Sequence, residues 1–213
     1  MRPLKFTTLS PKTANVTEFN AGTFNSTGAA TAPTTTVTSD GLAHTVTLVA
    51  PAQATLAGVT FTIVGTDADG RAQTETGLVG PASGATVTSS KYFKAISTIQ
   101  PSATMGALVV SVGMSAVSIS PCVRLDYHSI SPAALTVQVT GTVNYTVKDT
   151  IGDTHNYQID EVVWTAITAL TTKAVDTDGA ARTAANAVQV VTNSVTNGAT
   201  LVLWVSQASQ AMA

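Results

Sequence analysis

The amino-acid sequence predicts an all-β protein of two sandwich-like modules, jelly-roll or immunoglobulin-like, with an extended N-terminal arm. Threonine supplies about 38 of the 213 residues, and threonine and valine are enriched in β-strands. Polar and apolar residues alternate over much of the chain, which is typical of strands with one buried face. Turn signals separate these stretches at intervals of about 8–12 residues, as in sandwiches and barrels.

The N-terminal arm is predicted over residues 1–35. It has no apolar period and ends in a low-complexity tract of alanine, threonine and proline. Three of the chain's five phenylalanines, Phe6, Phe19 and Phe24, lie in this segment. Large apolar rings would gain little in a loose tail, so we predict that these three residues anchor a partner. A variant lacking residues 1–35 is expected to keep its fold and to lose partner binding.

The first β module is predicted over residues 36–119. Strands are expected at 44–49 and 58–64, and the turn 66–70 should return the chain as a hairpin through 72–78. Further strands are predicted at 85–89, 92–99 and 107–118.

The second β module is predicted over residues 120–213. Its longest alternation, 135–147, should bend at Gly141. A strand at 184–191, a hairpin turn at Asn197-Gly198 and a strand at 200–207 complete it. Trp164 and Trp204 are expected to anchor its core.

The low charge content excludes several classes of function. Charged residues make up 10% of the chain, against about 25% in average soluble domains. The formal net charge of −2 gives no basic surface, so nucleic acid is not expected as a partner. No apolar stretch reaches the roughly 20 residues that cross a bilayer, and no signal peptide is recognised. We therefore expect neither nucleic-acid nor membrane binding.

No pattern of reactive side chains predicts catalysis. Asp67-Ala68-Asp69-Gly70 and Asp176-Thr177-Asp178-Gly179 could offer carboxylates to Ca²⁺, but an Asp-Gly turn explains both more simply. Asp126 and His128 could serve a hydrolase, yet no nucleophile elbow accompanies them. The single cysteine, Cys122, has no neighbouring base and is expected to be inert. We predict a non-enzymatic protein without metal or cofactor.

Two groups of residues resemble segments of tailed-bacteriophage virion structural proteins. The first comprises residues 65–75 with Gly80-Pro81 and Lys91-Tyr92-Phe93-Lys94. The second comprises Arg124-Leu125-Asp126-Tyr127 and residues 141–147. The resemblance covers about a third of the chain and implies a structural role in the particle, with synthesis in the cytoplasm of the bacterial host.

The expected function is that of a capsid decoration or cement protein, a homo-oligomer that binds the major capsid protein or other virion proteins. Two alternatives remain open. The chain could instead be a neck, tail or baseplate subunit. It could also be a host-receptor module that binds glycans through the polar loop 149–158.

Overall fold

The computed structural model describes residues 5–20, 24–52, 55–126 and 131–207, with only the backbone for residues 5 and 6. Its regular structure consists of antiparallel β-strands and one short 3₁₀ helix, and the described ranges contain no α-helix. The predicted all-β fold class is therefore confirmed. The strands are β1 Lys5–Leu9, β2 Ala43–Val49, β3 Thr60–Thr66, β4 Ala72–Val79, β5 Thr86–Phe93, β6 Ala95–Pro101, β7 Ser111–Ile119, β8 Val123–Arg124, β9 Ala134–Thr140, β10 Val143–Thr150, β11 Thr165–Ala166, β12 Thr177–Ala180, β13 Ala187–Val195 and β14 Thr200–Ser206.

The chain forms two compact units. The first unit contains residues 14–118, and the second unit contains residues 1–13 together with residues 119–213. The predicted arm, residues 1–35, is therefore divided between the units.

Two three-stranded arrangements build the first unit. The strands β4, β3 and β6 form one sheet in that order, and β7, β2 and β5 follow one another in the other. Both arrangements contribute to one apolar core that includes Phe61, Ile63 and Phe93. Burial of this apolar surface is the main favourable term in folding the unit.

Residues 14–20 and 24–38, here called the strap, run along β6 and β7. The backbone N–H groups of Val110 and Met114 donate to the carbonyl oxygens of Phe24 and Asn15, at 2.9 and 2.8 Å. The amide of Ile96 likewise donates to the carbonyl oxygen of Thr36 at 2.7 Å. The strap thus covers backbone groups that an open strand edge would leave unpaired.

The strap also completes the core of the first unit. Phe19 is 0% exposed and Phe24 4% exposed, and both belong to the same apolar cluster as Phe61 and Phe93. For residues 14–20 and 24–35 this placement corrects the expectation of an arm over residues 1–35 whose rings are free for a partner. The rings are buried because the cluster they fill is formed by strands that lie about 20 residues or more further along the chain.

A glycine permits the close approach of strap and strand. A Cβ atom built on Gly113 of β7 would collide with the carbonyl oxygen of Asn15 and with the backbone of Val16. Position 113 therefore has room only for glycine, which has no side chain.

The second unit contains a four-stranded sheet in the order β1, β14, β9, β12 and a three-stranded sheet in the order β11, β10, β13, with β8 paired to β13. The long alternation at 135–147 is two strands, β9 and β10, that lie in different sheets. Gly141, with φ of +80°, makes the bend between them. The predicted bend is confirmed, and it is the point at which the chain changes sheets.

The predicted hairpin at Asn197-Gly198 is wrong in its strand pairing. A turn does occur there, with Gly198 at φ of +83°, but it joins β13 to β14, which belong to different sheets. The Thr196 amide donates to the carbonyl oxygen of Thr142 at 2.9 Å, so this crossover lies beside the one at Gly141.

The tryptophans are not the central core residues of the second unit. Trp164 and Trp204 are both half-buried, and their indole N–H groups donate to the Ile159 carbonyl oxygen and to Gln138 Oε1. The largest fully buried side chain is Tyr145 of β10, whose hydroxyl donates to the Val175 carbonyl oxygen at 2.9 Å. Trp204 lies on the outer face of β14 because its neighbours Leu203 and Val205 point inward.

Candidate functional site

The loop after β10 has a fixed conformation that is centred on Asp153. One carboxylate oxygen of Asp153 accepts the backbone N–H groups of His155 and Asn156, at 2.9 and 3.2 Å. The other oxygen accepts the side-chain amide of Asn156 at 2.5 Å. These hydrogen bonds, first of all the one from the Asn156 side chain, lower the pKa of Asp153 below its ordinary value of 3.8.

Asn186 holds the start of the same loop from a distant part of the sequence. Its side-chain amide donates to the carbonyl oxygens of Ile151 and Gly152, at 2.8 and 3.1 Å. Its backbone N–H donates to the carbonyl oxygen of Thr150 at 2.7 Å, and its own carbonyl oxygen accepts the amide of Leu125. The loop is therefore tied to the segment that follows β8.

A pocket lies between this loop and the residues that end β8, and six of its seven lining residues have polar or charged side chains. Its volume is about 520 Å³, within the range of about 300–1,000 Å³ that is usual for small-molecule sites. Arg124 and Leu125 line one part, and Asp153 to Asn156 with Asn186 line the rest. The Arg124 guanidinium also donates to the Thr154 carbonyl oxygen at 3.2 Å.

Sequence reasoning identified the loop but missed its partners. The sequence marks the polar loop 149–158 as a candidate binding loop, and residues 153–156 line a pocket. In the sequence Arg124 belongs only to a scaffold motif, and nothing in the sequence marks Asn186. No local signal marks either residue, because they meet the loop only through the pairing of β8, β10 and β13.

The three predicted anchors lie elsewhere. Phe19 and Phe24 are core residues of the first unit and are not presented to a partner. Phe6 pairs with Trp204 in the register of β1 and β14, and its side chain lies outside the described part. Asp126 bonds through its backbone to Gln207, while His128 lies outside the described residues.

Neither Asp-x-Asp-Gly pattern gathers metal ligands. Asp67 Oδ1 accepts the backbone N–H groups of Asp69 and Arg71, each at 2.9 Å, as in an Asp-Gly turn. Asp176 accepts the backbone N–H of Val139 instead. Within residues 5–20, 24–52, 55–126 and 131–207, no group of three or more metal-binding side chains is found.

Four of the chain's twelve acidic residues have buried carboxylates. Asp40 pairs with the buried ring of His44 at 2.9 Å, and Asp149 pairs with Arg182 at 2.8 Å. Glu75 accepts the backbone N–H groups of Ser90 and Lys91, at 2.8 and 2.9 Å. Asp67, described above, is the fourth. Burying a charge is costly unless it is paired or hydrogen-bonded, so these charges act inside the units.

Several apolar side chains are exposed on the second unit, and one of them, Val163, lies two residues before the edge strand β11. Val163 is 81% exposed, and Ile151, Tyr157 and Val175 are also more than half exposed. Val163 is joined to β10 through its carbonyl oxygen, which accepts the Thr150 hydroxyl at 2.8 Å. The neighbouring strand β11 ends its sheet. Apolar side chains beside a sheet edge are typical of protein contact surfaces.

Comparison of the chain with protein-family models, with curated proteins and with solved structures gives no match. In the part of the chain that the structure describes, no helix has the length and apolar character of a membrane span.

Proposed function

We propose that this chain is a non-enzymatic structural protein of a bacteriophage particle, a decoration or cement protein that binds the capsid lattice. The particle is suggested by the resemblance of its two sequence segments to virion proteins. The assembly role is suggested by the physical character of its surface. As a cement protein it would be a homo-oligomer that binds the major capsid protein or other virion proteins.

One observation carries the assembly argument. A third of the acidic side chains are buried, so the surface carries fewer charges than the composition of the chain alone would suggest. Soluble monomers avoid such surfaces, because charge keeps molecules apart in solution. In an assembly the same surface is an advantage, since threonine, serine and asparagine form hydrogen bonds in wet interfaces without leaving a charge unpaired. Many symmetric copies then multiply a modest contact.

The exposed apolar side chains of the second unit provide the contact surface in this proposal. Val163 and Val175 would contact an apolar surface of a neighbouring virion protein. The edge of β11 adds backbone N–H and C=O groups to which a strand of that neighbour can pair.

The test uses purified full-length protein and particles assembled without it. We expect the protein to sediment with the particles and to raise the temperature at which they open. The Val163→Asp variant should bind at least about tenfold more weakly, because it places a charge in an apolar contact. Val79→Asp, at an exposed valine of the first unit, is the matched control and should bind normally.

Absence of binding by the wild-type protein to particles of the encoding virus would overturn the proposal. Equal weakening by both aspartate variants would also contradict the assigned surface.

A further inference from the structure

We infer that the pocket between Arg124 and the loop 151–158 binds a neutral, hydroxyl-rich ligand of the carbohydrate class. This assignment is independent of the capsid role, because the pocket can be tested with the isolated chain.

The pocket is organised before any ligand arrives. Asp153 fixes the turn through its three hydrogen bonds, and the Asn186 amide fixes the entry of the loop. A site that is already ordered spends less of its interaction free energy on immobilising side chains. Ligands that bind weakly, such as single sugar rings, depend on this lower cost of ordering side chains.

Donors and acceptors both line the pocket. The nitrogens of the Asn156 and Asn186 side-chain amides are used within the loop, so each residue keeps its carbonyl oxygen Oδ1 as an acceptor. The Arg124 guanidinium carries several N–H donors in a planar fork. A sugar hydroxyl both donates and accepts, and it therefore matches this mixed set better than a purely accepting phosphate would.

The charges of the pocket favour a neutral ligand. The positive charge of Arg124 is accompanied by the negative charge of Asp153, and hydrogen bonding keeps Asp153 ionised by lowering its pKa. An anionic ligand would be attracted to Arg124 and repelled by Asp153. A neutral polyol avoids the repulsion by Asp153, and the apolar side chain of Leu125 can contact the C–H face of a sugar ring.

The test is saturation-transfer NMR with the full-length protein against glucose, galactose, mannose and N-acetylglucosamine, with inorganic phosphate as the anionic probe. At least one saccharide should give a signal and shift the side-chain amide resonances of Asn156 and Asn186. Arg124→Met should weaken this binding about tenfold or more, as expected for loss of a charge-assisted hydrogen bond. Lys12→Met, at an exposed cation of the same unit that does not line the pocket, should leave binding unchanged.

Far-UV circular dichroism of both variants verifies that the fold is intact. A second variant, His155→Ala, removes an exposed side chain of the pocket and should also weaken binding. Three results would overturn the inference: no saccharide signal at a concentration of about 50 mM, near the weak limit of specific binding; binding that Arg124→Met and Lys12→Met affect equally; or binding of phosphate alone.

Discussion

Replacing Phe19 with alanine tests whether the strap is part of the core of the first unit. The ring is fully buried, and truncation of such a ring costs about 3–5 kcal/mol. The total stability of a domain is only about 5–15 kcal/mol, so the variant should lose roughly a fifth of it or more. Val16→Ala is the matched control, because Val16 is in the same strap but is 52% exposed and should cost only about 0.5 kcal/mol.

Denaturant unfolding followed by far-UV circular dichroism measures the loss of stability. Hydrogen–deuterium exchange then locates it, since the amides of Ile96, Val110 and Met114 donate to carbonyl oxygens of the strap. These amides should exchange faster in Phe19→Ala than in Val16→Ala. If the two variants have the same unfolding midpoint and the same protection, the ring is not part of the core and the burial argument is refuted.

Three further changes test particular contacts. Gly113→Ala should destabilise the first unit by about 1–3 kcal/mol, as overpacking does. It should also increase hydrogen–deuterium exchange at the Met114 amide. An unchanged melting temperature would contradict the close approach of the strap. Glu75→Gln should cost about 1.5–3 kcal/mol, because charge-assisted hydrogen bonds from buried backbone N–H groups are weakened. Glu161→Gln is the control in the same denaturant assay, since Glu161 accepts the Gln158 N–H at an exposed site where water can replace the bond. Burial raises the pKa of Asp67 above its ordinary value of 3.8, so the folded state binds more protons than the unfolded state above that pH. The contribution of Asp67 to stability should therefore fall as pH rises from about 3.8 through the raised pKa. In Asp67→Asn this contribution is absent, and identical pH profiles of unfolding for the two proteins would rule it out.

The strands could be predicted from the sequence because alternation is a local property. A period of two shows which residues share a face of a strand, and it located β9 and β10 correctly. It does not show which strand lies alongside. The predicted hairpin at Asn197-Gly198 failed for that reason, since the same turn can join strands of one sheet or carry the chain to another.

The burial of the strap and the composition of the pocket could not be predicted from local sequence patterns, because both depend on residues that are far apart in the chain. Phe19 and Phe24 lie in irregular backbone with no period, and their neighbours come from strands far along the chain. Arg124 meets Thr154 across 30 residues. Of the parts of the chain that form the pocket, only the loop 149–158 could be identified from the sequence, because most of its residues are polar.

Residues 65–75 and 91–94, on which part of the proposed likeness to virion proteins rests, contact one another in the first unit. Glu75 of β4 holds the amides of Ser90 and Lys91, and Gln73 donates to the Tyr92 carbonyl oxygen at 2.8 Å. The Lys94 amide donates in turn to the Thr66 carbonyl oxygen.

These contacts join the β3–β4 hairpin to the junction of β5 and β6, which belong to different sheets. The Glu75 carboxylate and the Gln73 side-chain amide are engaged in that junction, so these two side chains serve the scaffold. Recognition must then depend on other residues, and in the described second unit the exposed apolar side chains and the pocket of Arg124 are available for it. A shared scaffold with a separate recognition surface is what would allow one module to serve at different positions in a particle.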